Sequence, residues 1–182
     1  GSSLTFDTTK TTLTGTIDSD NKGDAVININ ADRAVTFNGA LGDTNAIKQM
    51  NLLGKNSGAQ FKVNSKIGEI KFHDNRSLIV IADNVTINGN LVANAANYGN
   101  VRFLGSGGVT GTIGDGNALK SVQFKGAGDV TLGGDATARN FKYYANSNVT
   151  ANGNITGNVD FANNAGTLNV AGLIAGNVDS TV

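Results

Sequence analysis

Val85-Thr86-Ile87-Asn88-Gly89 decides the reading of this chain, because the word returns along it. It recurs as Val35-Thr36-Phe37-Asn38-Gly39, Val130-Thr131-Leu132-Gly133-Gly134 and Val149-Thr150-Ala151-Asn152-Gly153. Looser copies are Phe61-Lys62-Val63-Asn64, Val109-Thr110-Gly111 and Leu168-Asn169-Val170-Ala171-Gly172, and Leu13-Thr14-Gly15 stands where an earlier copy belongs. The anchors at 35, 61, 85, 109, 130, 149 and 168 are 19 to 26 residues apart. Each word alternates apolar and polar, which is the period of a strand with one buried face, and each ends at Gly or Asn.

A second word, apolar-x-Phe-like, falls between the anchors. Its copies are Met50-x-Leu52, Ile70-x-Phe72, Val101-x-Phe103, Val122-x-Phe124, Phe141-x-Tyr143 and Val159-x-Phe161. A longer unit repeats at 72 residues, Leu41-Gly-Asp-Thr-Asn-Ala-Ile47-Lys48 matching Ile113-Gly-Asp-Gly-Asn-Ala-Leu119-Lys120.

Short strands at a steady period of about twenty residues predict an all-β chain. The expected fold is a right-handed, single-stranded parallel β-helix (β-solenoid) of about seven to eight coils of 19–26 residues. An antiparallel sandwich also has many short strands, but it gives no reason for one five-residue word to return at that interval. Composition agrees. The chain has 25 Gly and 26 Asn, the types that turn most cheaply, and 13 of its 14 acidic residues are Asp, with few good helix formers. Stacking predicts an inward column of Val35, Val85, Val109, Val130 and Val149 and an outward column of Thr36, Thr86, Thr110, Thr131 and Thr150. It also predicts an Asn ladder of Asn38, Asn64, Asn88 and Asn152. The 182 residues form one domain, residues 1–3 having the look of a cloning scar.

At these words the chain resembles the passenger regions of autotransporters, in particular the rickettsial surface cell antigens of the outer-membrane-protein-B type. The stretches that carry the resemblance are Ala34-Val-Thr-Phe-Asn-Gly39, Gly111-Thr-Ile-Gly-Asp-Gly-Asn-Ala-Leu-Lys120 and Gly126-Ala-Gly-Asp-Val-Thr-Leu-Gly133. The similarity runs from about Leu13 to the end. It implies secretion to the bacterial cell surface, a β-helical stalk and host-cell adhesion. It also implies anchoring by a C-terminal β-barrel that this chain does not contain. It carries no catalytic motif, so no site residue transfers.

Motifs with chemistry fail on inspection, and the expectation is no catalytic, cofactor-binding or metal site. Asp18-Ser-Asp20-Asn-Lys22-Gly23 opens like a calcium loop but has Lys22 at the fifth position and Ile29 at the twelfth. Gly105-Ser-Gly107-Gly108 and the pairs Gly114/Gly116 and Gly126/Gly128 lack the rest of any phosphate-loop signature and read as coil turns. The lone His73 adjoins Asp74, but neighbours on a strand face opposite ways. Asp129, Asp135 and Asp160 are the carboxylates a β-helical carbohydrate-active enzyme would use, and most precede a strand word, where Asp commonly serves as a turn residue. The absence of cysteine removes thiol chemistry and thiolate metal sites.

Net charge is zero, which argues against a general nucleic-acid binder. Basic residues gather locally at Lys48, Lys55, Lys62, Lys66, Lys71 and Arg76, where the repeat is least regular. The sequence therefore points to that segment as a contact face for a host-cell surface protein or glycan. The leading expectation is a non-enzymatic stalk or adhesin. The other readings are a β-helical carbohydrate-active enzyme and a plain structural spacer.

Overall fold

The structure, a computed structural model, describes residues 1–7, 11–20 and 23–180. Every regular element among them is a β-strand, and each strand pairs in parallel with its counterpart one coil away. The chain is a β-solenoid, as the repeat predicts.

The register sorts the strands onto three faces. The inward column of the first runs Leu4, Ile27, Met50, Ile70, Leu91, then by isolated bridges through Ile113 to Ala136, and on to Ile155 and Ile174. That of the second runs Thr11, Val35, Ala59, Ile79, Val101, Val122, Phe141, Val159, Val178. The third holds Val85, Gly107, Val130, Val149 and Leu168. Successive rungs of the second column are 18 to 24 residues apart, which makes about eight coils.

Three strands of eight or nine residues, Ser65–Phe72, Val85–Ala93 and Ala136–Tyr143, and the shorter Ile155–Asp160 bend around a corner and belong to two faces each. The bend costs register, which slips between Lys66 and Glu69 and between Thr137 and Asn140. A glycine stands opposite each slip. Gly89 and Gly157 have φ of 153° and 137°, and a Cβ on either would run into the carbonyl of Ile67 or Ala138.

The interior is filled by columns rather than by isolated contacts. Phe37 and Phe61 stack at 5.9 Å, Ile81 interrupts, and Phe103, Phe124, Tyr143 and Phe161 continue at 5.8, 4.8 and 4.4 Å between successive centroids. Each such ring removes apolar surface from water worth about 1.5–3 kcal/mol. The Tyr143 hydroxyl finds a partner at the edge, donating to the Thr167 carbonyl at 2.9 Å, and desolvation pushes its pKa well above the ordinary phenol. Buried serines serve the corners. Ser57 Oγ donates to the Gly54 carbonyl at 2.8 Å, Ser147 Oγ to that of Gly126 at 2.7 Å, and Ser65 Oγ accepts from the Leu41 N–H.

Three expectations about stacking are corrected. Val35 lies on the second face, over Ala59, and not over Val85. Val109 is displaced by two positions, pairing with Ile87 and Leu132, because Gly107 and Gly108 take the places of the Val and Thr. The outward threonine row is therefore Thr86, Gly108, Thr131 and Thr150, with Thr36 and Thr110 elsewhere. The Asn ladder on Asn38, Asn64, Asn88 and Asn152 gives way to a different device. Asn64 Oδ1 accepts the Thr86 N–H at 2.8 Å and Asn88 Oδ1 the Thr110 hydroxyl at 3.1 Å. The side-chain oxygens of Asp83, Asn90, Asp135 and Asn154 likewise accept a backbone N–H one coil on, at 2.7–2.9 Å. An Asx oxygen at a corner thus satisfies a backbone donor that the turn leaves free of the ladder. An Asn–Asn bond occurs on the first face, from Asn51 to Asn28 at 2.9 Å.

The apolar-x-Phe word is likewise shared. Met50-x-Leu52 and Ile70-x-Phe72 line the first face, and the copies from Val101 onward line the second.

Candidate functional site

One coil of about twenty residues circles the rod once, so the segment from Lys48 to Arg76 passes every face. Its cations are spread accordingly. Lys48 and Lys71 lie on the first face, Lys71 in register with Asn51 and Val92. Lys55 and Arg76 occupy successive turns leading to the second face, and Lys62 follows the second-face strand Gly58–Phe61. Lys66 stands at the third-face end of Ser65–Phe72, where its ammonium donates to the Asp43 carbonyl at 2.6 Å. Arg76 Nε is 3.6 Å from Asp74 Oδ1. The fold does not gather the six into one face.

The other sequence candidates serve turns. Asp18 Oδ1 accepts the Thr44 N–H at 2.9 Å, while Lys22 of the calcium-like loop lies outside the described residues. Among the described residues no cluster of three or more His, Asp or Glu is placed to hold a metal ion. His73 sits in the turn between the first and second faces. Its Nε2 is buried without a hydrogen-bond partner among the described residues, and Asp74 accepts from the Arg76 N–H at 2.9 Å. Asp129 accepts from Asn148 at 3.0 Å, Asp135 from the Asn154 N–H at 2.7 Å, and Asp160 pairs with Lys142 at 3.2 Å. Asp129 lies within the third-face strand Gly128–Leu132 and Asp135 in the turn beyond it, whereas Asp160 lies on the second face.

The outer surface of the second face is where functional groups converge. Three coils present outward rows of Asn100 and Arg102, then Ser121, Gln123 and Lys125, then Asn140, Lys142 and Tyr144. The polar row is oriented from within. Arg102 Nε donates to Gln123 at 3.3 Å, Gln123 to Ser121 at 3.0 Å, Ser121 to Asn100 at 2.8 Å, and Asn100 to the Ser77 carbonyl at 3.1 Å. Lys125 places its ammonium 3.1 Å from the centroid of the Tyr144 ring, and Lys142 stands 5.5 Å from it. The Lys125 pKa is lowered, first by desolvation and then by the charges of Arg102 and Lys142. That of Lys142 is raised, first by its hydrogen bond to Asp160. The face carries a concavity of about 440 Å³ whose lining includes Lys120, Arg139, Lys142, Tyr144, Asn140 and the carboxylate of Asp160. Sequence reading missed this site because its cations are dispersed over 41 positions, from Arg102 to Lys142, with no local run to mark them.

The parallel strand register throughout the described residues defines the chain as a β-solenoid. The chain is similar to Outer membrane protein A of Rickettsia rickettsii, with 33% identity over 140 residues. That match covers 72% of this chain and 6% of the relative's length, so the chain corresponds to a small part of it. The likeness agrees with the resemblance to rickettsial surface antigens carried by the repeated words. No family model matches the chain, and no solved structure is significantly similar to it.

Proposed function

We propose that this chain is a segment of the passenger region of an autotransporter displayed on the bacterial cell surface, where it serves as a non-enzymatic stalk that contacts host cells. The observation that carries the reading is the similarity to a rickettsial outer membrane protein across most of a chain whose described residues form a solenoid. A rod of stacked coils separates scaffold from contact: inward columns hold the fold, and outward positions are open to variation. The three carboxylates considered for glycoside chemistry accept hydrogen bonds or pair with a cation, and they are split between two faces, which favours a binding role over a hydrolytic one.

Beads coated with the chain are expected to bind cultured host cells, and soluble chain is expected to compete. Uncoated levels of binding would overturn the adhesive reading and favour a spacer. Release of reducing sugar from bacterial or host polysaccharides would favour the carbohydrate-active enzyme instead.

A further inference from the structure

We infer that the second face between Asn100 and Asp160 is a binding site for an anionic polysaccharide, one bearing sulfate or carboxylate groups along a linear chain. The inference rests on the adhesive reading for its biological meaning, but the site is argued from its own geometry.

Charge supplies the first argument. Every Lys and Arg beyond Arg76, namely Arg102, Lys120, Lys125, Arg139 and Lys142, lies on this face or its leading edge. Lys120 and Arg139 hold the same place in adjacent coils, between the register pairs Leu119–Ala138 and Ser121–Asn140. The acidic groups of the same coils are sorted away. Asp83 and Asp129 bond at the third-face side, and Asp115 and Asp135 line a separate hollow with Ile113 of the first face. Among the described residues only Asp160 and Asp179 share the second-face outward column, at the C-terminal end of the patch, where Asp160 lines the concavity and pairs with Lys142. A chain of zero net charge thus concentrates five cations on one flank. The inward columns do not call for such segregation.

Spacing supplies the second. The cations occupy three successive coils, so they span about 10 Å along the rod axis at about 4.8 Å per coil. A linear ligand laid along the axis meets one cationic rung after another. The side chains between the charges suit sugar hydroxyls. Ser121, Gln123 and Asn140 offer donors and acceptors, two of them held in direction by the chain of hydrogen bonds from Arg102 to Asn100. Tyr144, the only exposed aromatic ring among the described residues, stands at the edge as a platform for one sugar face. A single ring does not make the series of stacking platforms that single-stranded nucleic acid uses.

The test is calorimetric titration of the chain with a short heparin oligosaccharide, with uncharged dextran and a short DNA duplex as comparison ligands. Heparin is expected to bind, more weakly at high salt, with dextran silent and DNA much weaker. The triple variant Arg102→Gln, Arg139→Gln, Lys142→Gln should lose about tenfold or more in affinity, as expected when charge-assisted contacts are removed. The charge-matched triple Lys48→Gln, Lys55→Gln, Lys62→Gln should stay within about twofold of the parent. Asp160→Asn, which frees Lys142, should tighten binding. Absent heparin binding, equal losses in the two triples, or DNA bound as tightly as heparin would overturn the site. Heparin binding without host-cell adhesion would leave the site standing and reject the adhesive reading.

Discussion

Phe103 and Phe124, one coil apart in the same inward column, stack with ring centroids 5.8 Å apart and planes 16° from parallel. Tyr143 continues the column 4.8 Å beyond Phe124. Phe124 is therefore clamped on both sides by rings whose backbones are fixed by ladder hydrogen bonds. Phe124→Ala should leave a cavity that cannot collapse and cost about 3–5 kcal/mol in denaturant unfolding. A loss under about 1 kcal/mol would mean that the column does not hold the coils together.

Inward and outward neighbours should differ sharply. Val130 is 1% exposed, with Gly107 and Val149 on either side in its column, while Thr131 faces water between Gly108 and Thr150. Val130→Asp buries an unpaired charge and should cost about 3 kcal/mol or more. Thr131→Lys should change stability by no more than about 0.5 kcal/mol. Thermal melts of the two variants decide the point, and equal damage would reverse the assignment of inside and outside.

His73 should give the rod a pH dependence on the acid side. Its imidazole is held below the ordinary pKa of 6.5, first by desolvation and then by the charge of Lys71. Above that value both folded and unfolded chains carry a neutral ring, and the group contributes no slope. As pH falls through 6.5 the unfolded chain takes up the proton more readily, so stability drops until the folded ring also titrates. The urea midpoint of the parent should fall between about pH 7.5 and 5.5 by more than that of His73→Gln, the difference between the two being the share of this residue. Parallel pH profiles would show that the turn around His73 does not discriminate the two ring states.

Period and word made the solenoid legible, because each word demands an in-out-in strand and the interval demands stacking. Which face a word occupies was not legible. Leu41 to Lys48 and Ile113 to Lys120 share one corner, with φ of 70° at both Gly42 and Gly114 and an N–H bond of 2.7 Å from each to the coil before. Yet Ile47 leads onto the first face and Leu119 onto the second. The local demands of a corner are the same wherever the corner falls, so sequence similarity aligned Val35 with Val85 although a face separates them. The basic site was hidden for the same reason. Arg102, Lys125 and Lys142 become neighbours only once coil lengths are counted in register, whereas the dense run from Lys48 to Arg76 is unwound around the rod.

Disulfide cross-linking tests that register directly, in a chain with no cysteine of its own. Gln123 and Lys142 are in-register partners on the outer second face, so Gln123→Cys with Lys142→Cys should cross-link readily under mild oxidation. Thr110 and Thr131 look equivalent as words but are offset by two residues, Thr131 pairing with Gly108. Mass spectrometry should find the intramolecular bond in high yield for the first pair and in low yield for Thr110→Cys with Thr131→Cys. The opposite ranking would contradict the three-faced stack and, with it, the flank on which the cations meet.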